Sequence, residues 1–124
     1  MGRIYLTRNF VKFIRKSRID ERSLIEVIAR AERGNIDADL GGGLVKLRLA
    51  RLNEGKSGGY RSIVAFQMQE RSVFLYGFAK NVRDNIDREE EDELRKYGQM
   101  LLALGIDEMD QMIGEGKLRE LKRD

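Results

Sequence analysis

The chain contains no cysteine, no histidine and no proline among its 124 residues. Without cysteine it forms no disulfide and offers no thiol nucleophile and no thiolate ligand for zinc. Without histidine it lacks the commonest metal ligand and the usual general base near neutral pH. The absence of proline is compatible with uninterrupted strands and helices. We therefore expect a protein that works without a metal or another cofactor.

Long hydrophobic runs are also missing. No apolar stretch approaches the roughly 20 residues that cross a bilayer, and the N-terminal MGRIYLTRNF lacks the apolar core of a secretory signal. A chain of 124 residues suits one modest hydrophobic core. These features predict a cytoplasmic protein without a membrane partner.

Charge, in contrast, is unevenly distributed. Residues 1–43 carry nine Lys or Arg and six Asp or Glu, a balance of +3. Residues 44–83 carry eight against two, a balance of +6, and residues 84–124 carry seven against thirteen, a balance of −6. A basic middle followed by an acidic segment indicates an anionic ligand at the middle. An ordinary charged surface without a ligand gives the same pattern, so charge alone leaves both interpretations open.

Candidate caps and the helical spacing of apolar residues predict four helices. Thr7, Asp20 and Asp87 are the expected N-caps of the first three, and Asp107 is expected to open the fourth. The first two helices form a hairpin that ends near Gly34. The third is expected to bury one stripe of side chains: Leu94, Tyr97, Met100, Leu101 and Leu104.

Alternating residues predict a short strand at 3–6 and a three-stranded antiparallel meander at 44–52, 60–68 and 73–80. Residues 35–43 are expected to be irregular. Residues 116–124 are expected to be a charged tail that is partly disordered or gains order on a partner. The predicted fold class is α+β.

The meander places cations where they can converge on one phosphate. In the strand 44–52, Lys46 and Arg48 project to the same side, and Arg61 follows the glycine turn into the next strand. Lys80 ends the third strand. Lysines and arginines grip phosphates and stabilise charge that develops in a transition state.

The same segment carries further candidates for RNA binding. Arg51 and Lys56 add positive charge, and Tyr60 and Tyr76 are expected to stack on bases. A lysine among other cations loses its proton more readily. In a chain without histidine, the Lys/Arg group is therefore the expected acid–base apparatus for attack of a 2′-hydroxyl on the neighbouring phosphate. For each residue alone, a solvated surface side chain is the competing interpretation.

Three motifs resemble the RelE/ParE superfamily of bacterial toxins, and more specifically its HigB-like branch. They are GGGLVKLR at 41–48, GKSGGYR at 55–61 and AKNVRDN at 79–85. The resemblance covers roughly residues 1–104, which we take as the toxin domain, and leaves 105–124 as a short helical and charged extension. It implies that the helical hairpin packs on a small twisted antiparallel sheet, with the C-terminal helices added.

The resemblance also implies a function. Members of this branch are metal-independent endoribonucleases that cut mRNA on the translating ribosome and are neutralised by a cognate antitoxin, here expected to be of the helix-turn-helix type. It implies catalytic roles for Lys46, Arg48, Arg61 and Lys80, and an RNA contact for Arg83. Related enzymes place a tyrosine or histidine near the end of the last motif, where this chain has Ile86 and Asp87. Lys46 or Lys80 is therefore the expected base.

Two other functions remain open from the sequence. A ParE-like toxin would use the same fold to inhibit DNA gyrase without nuclease chemistry. A non-catalytic RNA-binding module would use the same cations without causing growth arrest. The retained strand cations favour the nuclease.

Overall fold

The computed structural model of the protein describes residues 2–49 and 59–122. Its strands are β1 Arg3–Thr7, β2 Ala38–Gly41, β3 Leu44–Leu49, β4 Tyr60–Gln67, β5 Arg71–Ala79 and β6 Leu118–Leu121. Its helices are α1 Arg8–Ser17, α2 Glu21–Glu32, α3 Arg88–Ala103 and α4 Ile106–Gly114. In the described part of the chain, none of these helices is long and apolar enough to span a bilayer.

The strands form one sheet in the order β2-β3-β4-β5-β1-β6. All neighbouring pairs are antiparallel except β1 and β5, which are parallel. The predicted α+β class is confirmed, and the predicted meander is β3-β4-β5. The sheet is mixed rather than purely antiparallel because the chain passes through both hairpin helices after β1 and returns at the far edge of the sheet.

Helices cover both faces of the sheet. On one face, which we call the hairpin face, Phe10 of α1 and Leu24 of α2 pack on strand residues such as Leu47. On the opposite face, which we call the α3 face, Leu101 of α3 and Met109 of α4 pack in a second apolar cluster. The alternation of strand side chains supplies both cores, since successive residues point to opposite faces.

The predicted helix caps are confirmed. The Thr7 hydroxyl accepts from the Phe10 amide at 3.1 Å, and Asp20 accepts from the Arg22 amide at 2.9 Å. At α3, Asp87 and Glu90 form a reciprocal capping box. These side chains satisfy amides in the first turn that have no partner within the helix.

Two predictions about irregular segments are wrong. Residues 38–41, expected to be irregular, form β2 and pair with β3. Residues 118–121, expected to lie in a partly disordered tail, form β6 and pair with β1. Leu118 and Leu121 are buried, one on each face. β2 and β6 have only four residues each, and an alternation of apolar and polar residues this short is not recognisable in the sequence. Each strand is identified only by its pairing with a neighbouring strand.

The predicted buried stripe of α3 is correct only in part. Leu101 is fully buried, and Leu94 and Leu104 are partly buried against the same cluster. Tyr97 and Met100 are instead exposed, at 37% and 45%. α3 therefore contacts the sheet along a narrower stripe than predicted. Gly98 lies at this contact, where an added Cβ would be 3.0 Å from the Cβ of Ala65.

A bulge in β5 changes which of its side chains face α3. Ile63 of β4 is opposite Tyr76, whereas the next residue, Val64, is opposite Phe74, so one residue of β5 is extra. Beyond this point Tyr76 and Phe78 lie with the α3-face cluster, and Gly77 faces the hairpin. Bulges redirect side chains in this way. Tyr76 and Phe78 are thereby brought to the face that carries Lys46 and Arg61.

We predict that Gly77→Ala destabilises the protein. An added Cβ would lie 2.3 Å from the Phe13 ring, and an overpacked core residue costs about 1–3 kcal/mol. The free energy of unfolding in urea measures the effect. Gly114→Ala is the matched control, because nothing lies within 4 Å of its added Cβ. Equal stability of the two variants would contradict the close approach of α1 to β5.

Candidate nucleic-acid interface

Three of the predicted cations share the α3 face of the sheet. Arg48 of β3 is directly opposite Arg61 of β4, and Lys46 is opposite Ile63 two residues along. Across β5 the same two rows continue with Phe78 opposite Arg61 and Tyr76 opposite Ile63. The face therefore presents two neighbouring arginines, a lysine diagonal to Arg61 and the partly buried Tyr76, while the Phe78 ring is buried in the α3-face cluster.

The pairing of Arg48 with Arg61 is electrostatically unfavourable. Like charges directly opposite each other on neighbouring strands destabilise a sheet. In residues 2–49 and 59–122, neither arginine nor Lys46 forms an ion pair with an acid. Arg61 has one long contact, from Nη1 to the Tyr60 carbonyl at 3.4 Å. An anion bound between these cations would remove the repulsion.

Arg48 also reaches a second surface. It is exposed, its backbone amide donates to Asp37 at 2.6 Å, and it lines a cleft of about 390 Å³ between α2 and β3. Asp37 and Arg30 line the same cleft. Because this cleft carries an acid as well as cations, it suits a phosphate less well than the α3 face does.

Lys80 lies at the end of the β4–β5 ladder. Its amide donates to the Gly59 carbonyl at 3.1 Å, and its side chain is exposed. Lys80 is the first residue after β5 and two residues beyond Phe78, so it would point toward the α3 face if the strand alternation continued through it.

An ion pair after β5 organises the opposite side of the site. Arg83 donates through both Nη atoms to the Glu90 carboxylate, at 3.0 and 2.5 Å, and through Nη1 to the Tyr76 hydroxyl at 3.3 Å. Its guanidinium also lies over the Phe78 ring, 5.8 Å from the centroid. Arg83 thus ties the loop after β5 to both β5 and the start of α3.

Asn85 links this ion pair to the cations. Its carbonyl accepts from Arg83 Nε at 3.0 Å, and its side-chain oxygen lies 3.5 Å from Lys46 Nζ. The same oxygen accepts from the Ile86 amide at 2.9 Å. A continuous series of contacts therefore runs from Lys46 through Asn85 and Arg83 to Tyr76 and Glu90.

The ion pair shifts the pKa values of both Arg83 and Glu90. The hydrogen bonds from Arg83 lower the pKa of Glu90 from 4.5 to about 2, and the amide of Asp87 adds to the effect. Glu90 and the Tyr76 hydroxyl in turn raise the pKa of Arg83. Glu90 therefore stays ionised at neutral pH, and the ion pair holds the Arg83 guanidinium at the start of α3. The RNA contact of Arg83 stays a prediction, and the ion pair adds a positioning role for the same side chain.

Not all predicted site residues meet at this face. Tyr60 is only 5% exposed, lies in the hairpin-face cluster and contacts the Phe13 ring edge-on at 5.6 Å. The structure therefore does not support base stacking by Tyr60, because its ring points to the opposite face from Arg61. Arg51 and Lys56 lie outside the described residues.

Sequence reasoning missed Asn85 and Glu90, which belong to the interface, and Phe78, whose buried ring lies beneath the Arg83 guanidinium. Asn85 is the last residue of the AKNVRDN motif, so the motif could have identified it as a candidate. Glu90 stands three residues after the cap Asp87, the spacing of a capping box, but nothing in the sequence connected it with Arg83. Phe78 is brought to this face by the bulge, which local alternation does not predict.

Nearly the whole chain matches a known protein family. Residues 2–121 match the family described as the RelE toxin of the RelE / RelB toxin-antitoxin system. The chain belongs to the RelE toxin family. The match includes α4 and β6 as well as the region that carried the resemblance. No curated protein matches the chain. As a RelE-family member, the protein is a toxin of a toxin-antitoxin system, and such toxins pair with a RelB-type antitoxin.

We predict that the Arg83–Glu90 ion pair makes stability depend on pH between about 4.5 and 2. Because folding lowers the pKa of Glu90 from 4.5 to about 2, the ion pair contributes fully above pH 4.5 and is lost as the pH falls toward 2. Glu90→Gln should therefore reduce the free energy of unfolding most at neutral pH and progressively less in acid. Urea unfolding from pH 7 to 2.5 measures this.

Glu89→Gln is the matched control, since the Glu89 side chain is exposed and has no hydrogen bond with any described residue. Its effect should change little over the same pH range. A destabilisation by Glu90→Gln that stays constant down to pH 2.5 would contradict the assignment.

Proposed function

We propose that this RelE-family toxin is a ribosome-dependent mRNA endoribonuclease of the HigB-like branch, which inhibits translation by cutting mRNA. Its catalytic site is the α3 face at Lys46, Arg48 and Arg61, with Lys80 at the rim. The cognate antitoxin, proposed to be of the helix-turn-helix type, would neutralise it. The protein would act in the cytoplasm, where ribosomes and mRNA are present.

The observation that carries this proposal is the direct pairing of Arg48 with Arg61 beside Lys46. A protein that needed these strands only for stability would gain by replacing one of the two arginines. The arrangement suits a pentavalent phosphate, whose transition state carries more charge than the bound substrate does.

The proposed reaction is an internal transfer at one phosphate. The 2′-oxygen attacks the neighbouring phosphorus, the bond from phosphorus to the 5′-oxygen breaks, and a cyclic phosphate forms. The 2′-hydroxyl proton passes to a base, and the departing 5′-oxygen takes up a proton. Arg61 and Arg48 stabilise the phosphate oxygens throughout.

Lys46 is our choice for the base. Its Nζ is held 3.5 Å from Asn85 Oδ1, on the same face as Arg61 and one row along the sheet. A held amine has less freedom to lose when the substrate binds than the exposed Lys80 has. Lys80 is then left to contact a flanking phosphate or to donate a proton to the 5′-oxygen.

The gyrase-inhibitor alternative uses the same fold but does not need this cation cluster. A single induction experiment separates the two toxin functions, because an endoribonuclease breaks mRNA and a gyrase inhibitor changes DNA supercoiling. Arrest with intact mRNA and altered supercoiling would contradict our proposal.

We predict that Arg61→Ala abolishes toxicity when the chain is induced in a bacterium without its antitoxin. Loss of one group that stabilises an oxyanion lowers the rate by about 10²–10³, so mRNA should stay intact and growth should continue. Primer extension on induced transcripts measures cleavage. Toxicity that persists in Arg61→Ala would remove that residue from the catalytic site.

Arg33→Ala is the matched control, since Arg33 is an exposed arginine at the end of α2, away from the α3 face. It should arrest growth as the parent does. In the same assay, Lys46→Ala should lose cleavage more completely than Lys80→Ala, and the reverse order would transfer the role of base to Lys80.

A further inference from the structure

A pocket of about 290 Å³ lies beside the proposed catalytic site, between Tyr76 of β5 and one side of α3. It is lined by Tyr76, Glu90, Glu93, Leu94 and Tyr97. Its volume is just below the range for pockets that bind drug-sized ligands, about 300–1,000 Å³. Two tyrosine rings and a leucine form its walls, and aromatic side chains of this kind stack on nucleobases. The pocket suits one base.

The two carboxylates of the pocket are not equivalent. Glu90 is occupied by Arg83 and by the α3 cap. The Glu93 side chain is exposed, and in the described part of the chain it has neither a hydrogen bond nor an ion pair. Glu93 is therefore the acceptor that a ligand in the pocket would meet.

The pocket is joined to the cation cluster. Tyr76 forms its wall and accepts from Arg83, which contacts Asn85, and Asn85 in turn contacts Lys46. Tyr76 also lies in the cross-strand row of Ile63 and Lys46, so a phosphate at Lys46 and Arg61 would bring a flanking base toward the pocket. The first turns of α3 are acidic, with Glu89, Glu90 and Glu91, so they repel phosphates and admit the uncharged base.

We propose that this pocket selects the base next to the scissile phosphate and that Glu93 makes it prefer guanine. Guanine presents two neighbouring N–H donors on its Watson–Crick edge, which match the two oxygens of a carboxylate. Adenine and cytosine each offer one amino donor beside an acceptor. Uracil offers one N–H between two carbonyls, which a carboxylate repels. The proposal rests on the proposed function for its ligand, single-stranded RNA.

The test compares four short single-stranded RNAs that differ only at one central base, G, A, C or U. Each carries 2′-O-methyl groups so that it cannot be cleaved. Affinities are measured in low salt, where phosphate contacts are strongest, by NMR titration that follows the Tyr76 and Tyr97 ring signals. The parent protein should bind the G-containing RNA about tenfold or more tightly than the U-containing RNA, with shifts at both rings.

Glu93→Gln should reduce that ratio to about twofold or less, because the amide presents one acceptor and one donor. Glu89→Gln is the matched control: it removes the same charge from the same helix outside the pocket. Both variants weaken the general repulsion of phosphates, whereas only Glu93→Gln also loses the guanine contact, so the ratio between bases is the decisive quantity. The control should keep the ratio of the parent.

Equal affinities for the four RNAs in the parent protein, or unshifted Tyr97 signals, would overturn the proposal. So would an equal loss of discrimination in Glu89→Gln. A pocket that instead receives a basic polypeptide segment would give that first result. Failure of the proposed nuclease is seen separately, since intact mRNA during induction would refute cleavage without changing base-selective binding to uncleavable RNA.

Discussion

The register shift between β4 and β5 decides which side chains stand beside the cations. Without the extra residue, the sequence YGFAK would place Gly77 and Ala79 on the α3 face and bury two aromatic rings under the helical hairpin. With it, Tyr76 and Phe78 meet Arg61 and Lys46, and Gly77 leaves room for Phe13 of α1. The same shift places the Tyr76 hydroxyl where Arg83 reaches it. Both the site and the packing of the hairpin depend on this one irregularity.

Electrostatics divide the α3 face into two parts. On β3 and β4 the cations repel one another and have no acidic partners among the described residues. After β5, Arg83 is paired with Glu90 and ties the loop to the start of α3. The cations of β3 and β4 thus lie where a phosphate would bind, and the Arg83–Glu90 ion pair beside them keeps its charges above about pH 4.5. This separation of binding charge from structural charge is what a preorganised site requires.

Much of the architecture could be predicted from the sequence. Caps such as Thr7, Asp20 and Asp87 act locally, so their side chains identified the helix starts. The alternation in β3 placed Lys46 and Arg48 together for the same reason. Three features depend on distant partners and were missed: the pairing of β6 with β1, the bulge, and the exposure of Tyr97. The burial of Tyr60 was missed because its orientation depends on Phe13, which lies in α1.

The central claim is that Arg48 and Arg61 are placed together for an anion at a cost in stability. The most direct measurement is the free energy of unfolding of Arg48→Gln in low and high salt, without RNA. Our account predicts that Arg48→Gln is more stable than the parent by up to about 1 kcal/mol in low salt. The gain should shrink in high salt, where charges are screened. A variant less stable than the parent under both conditions would contradict the account, because Arg48 would then stabilise the fold.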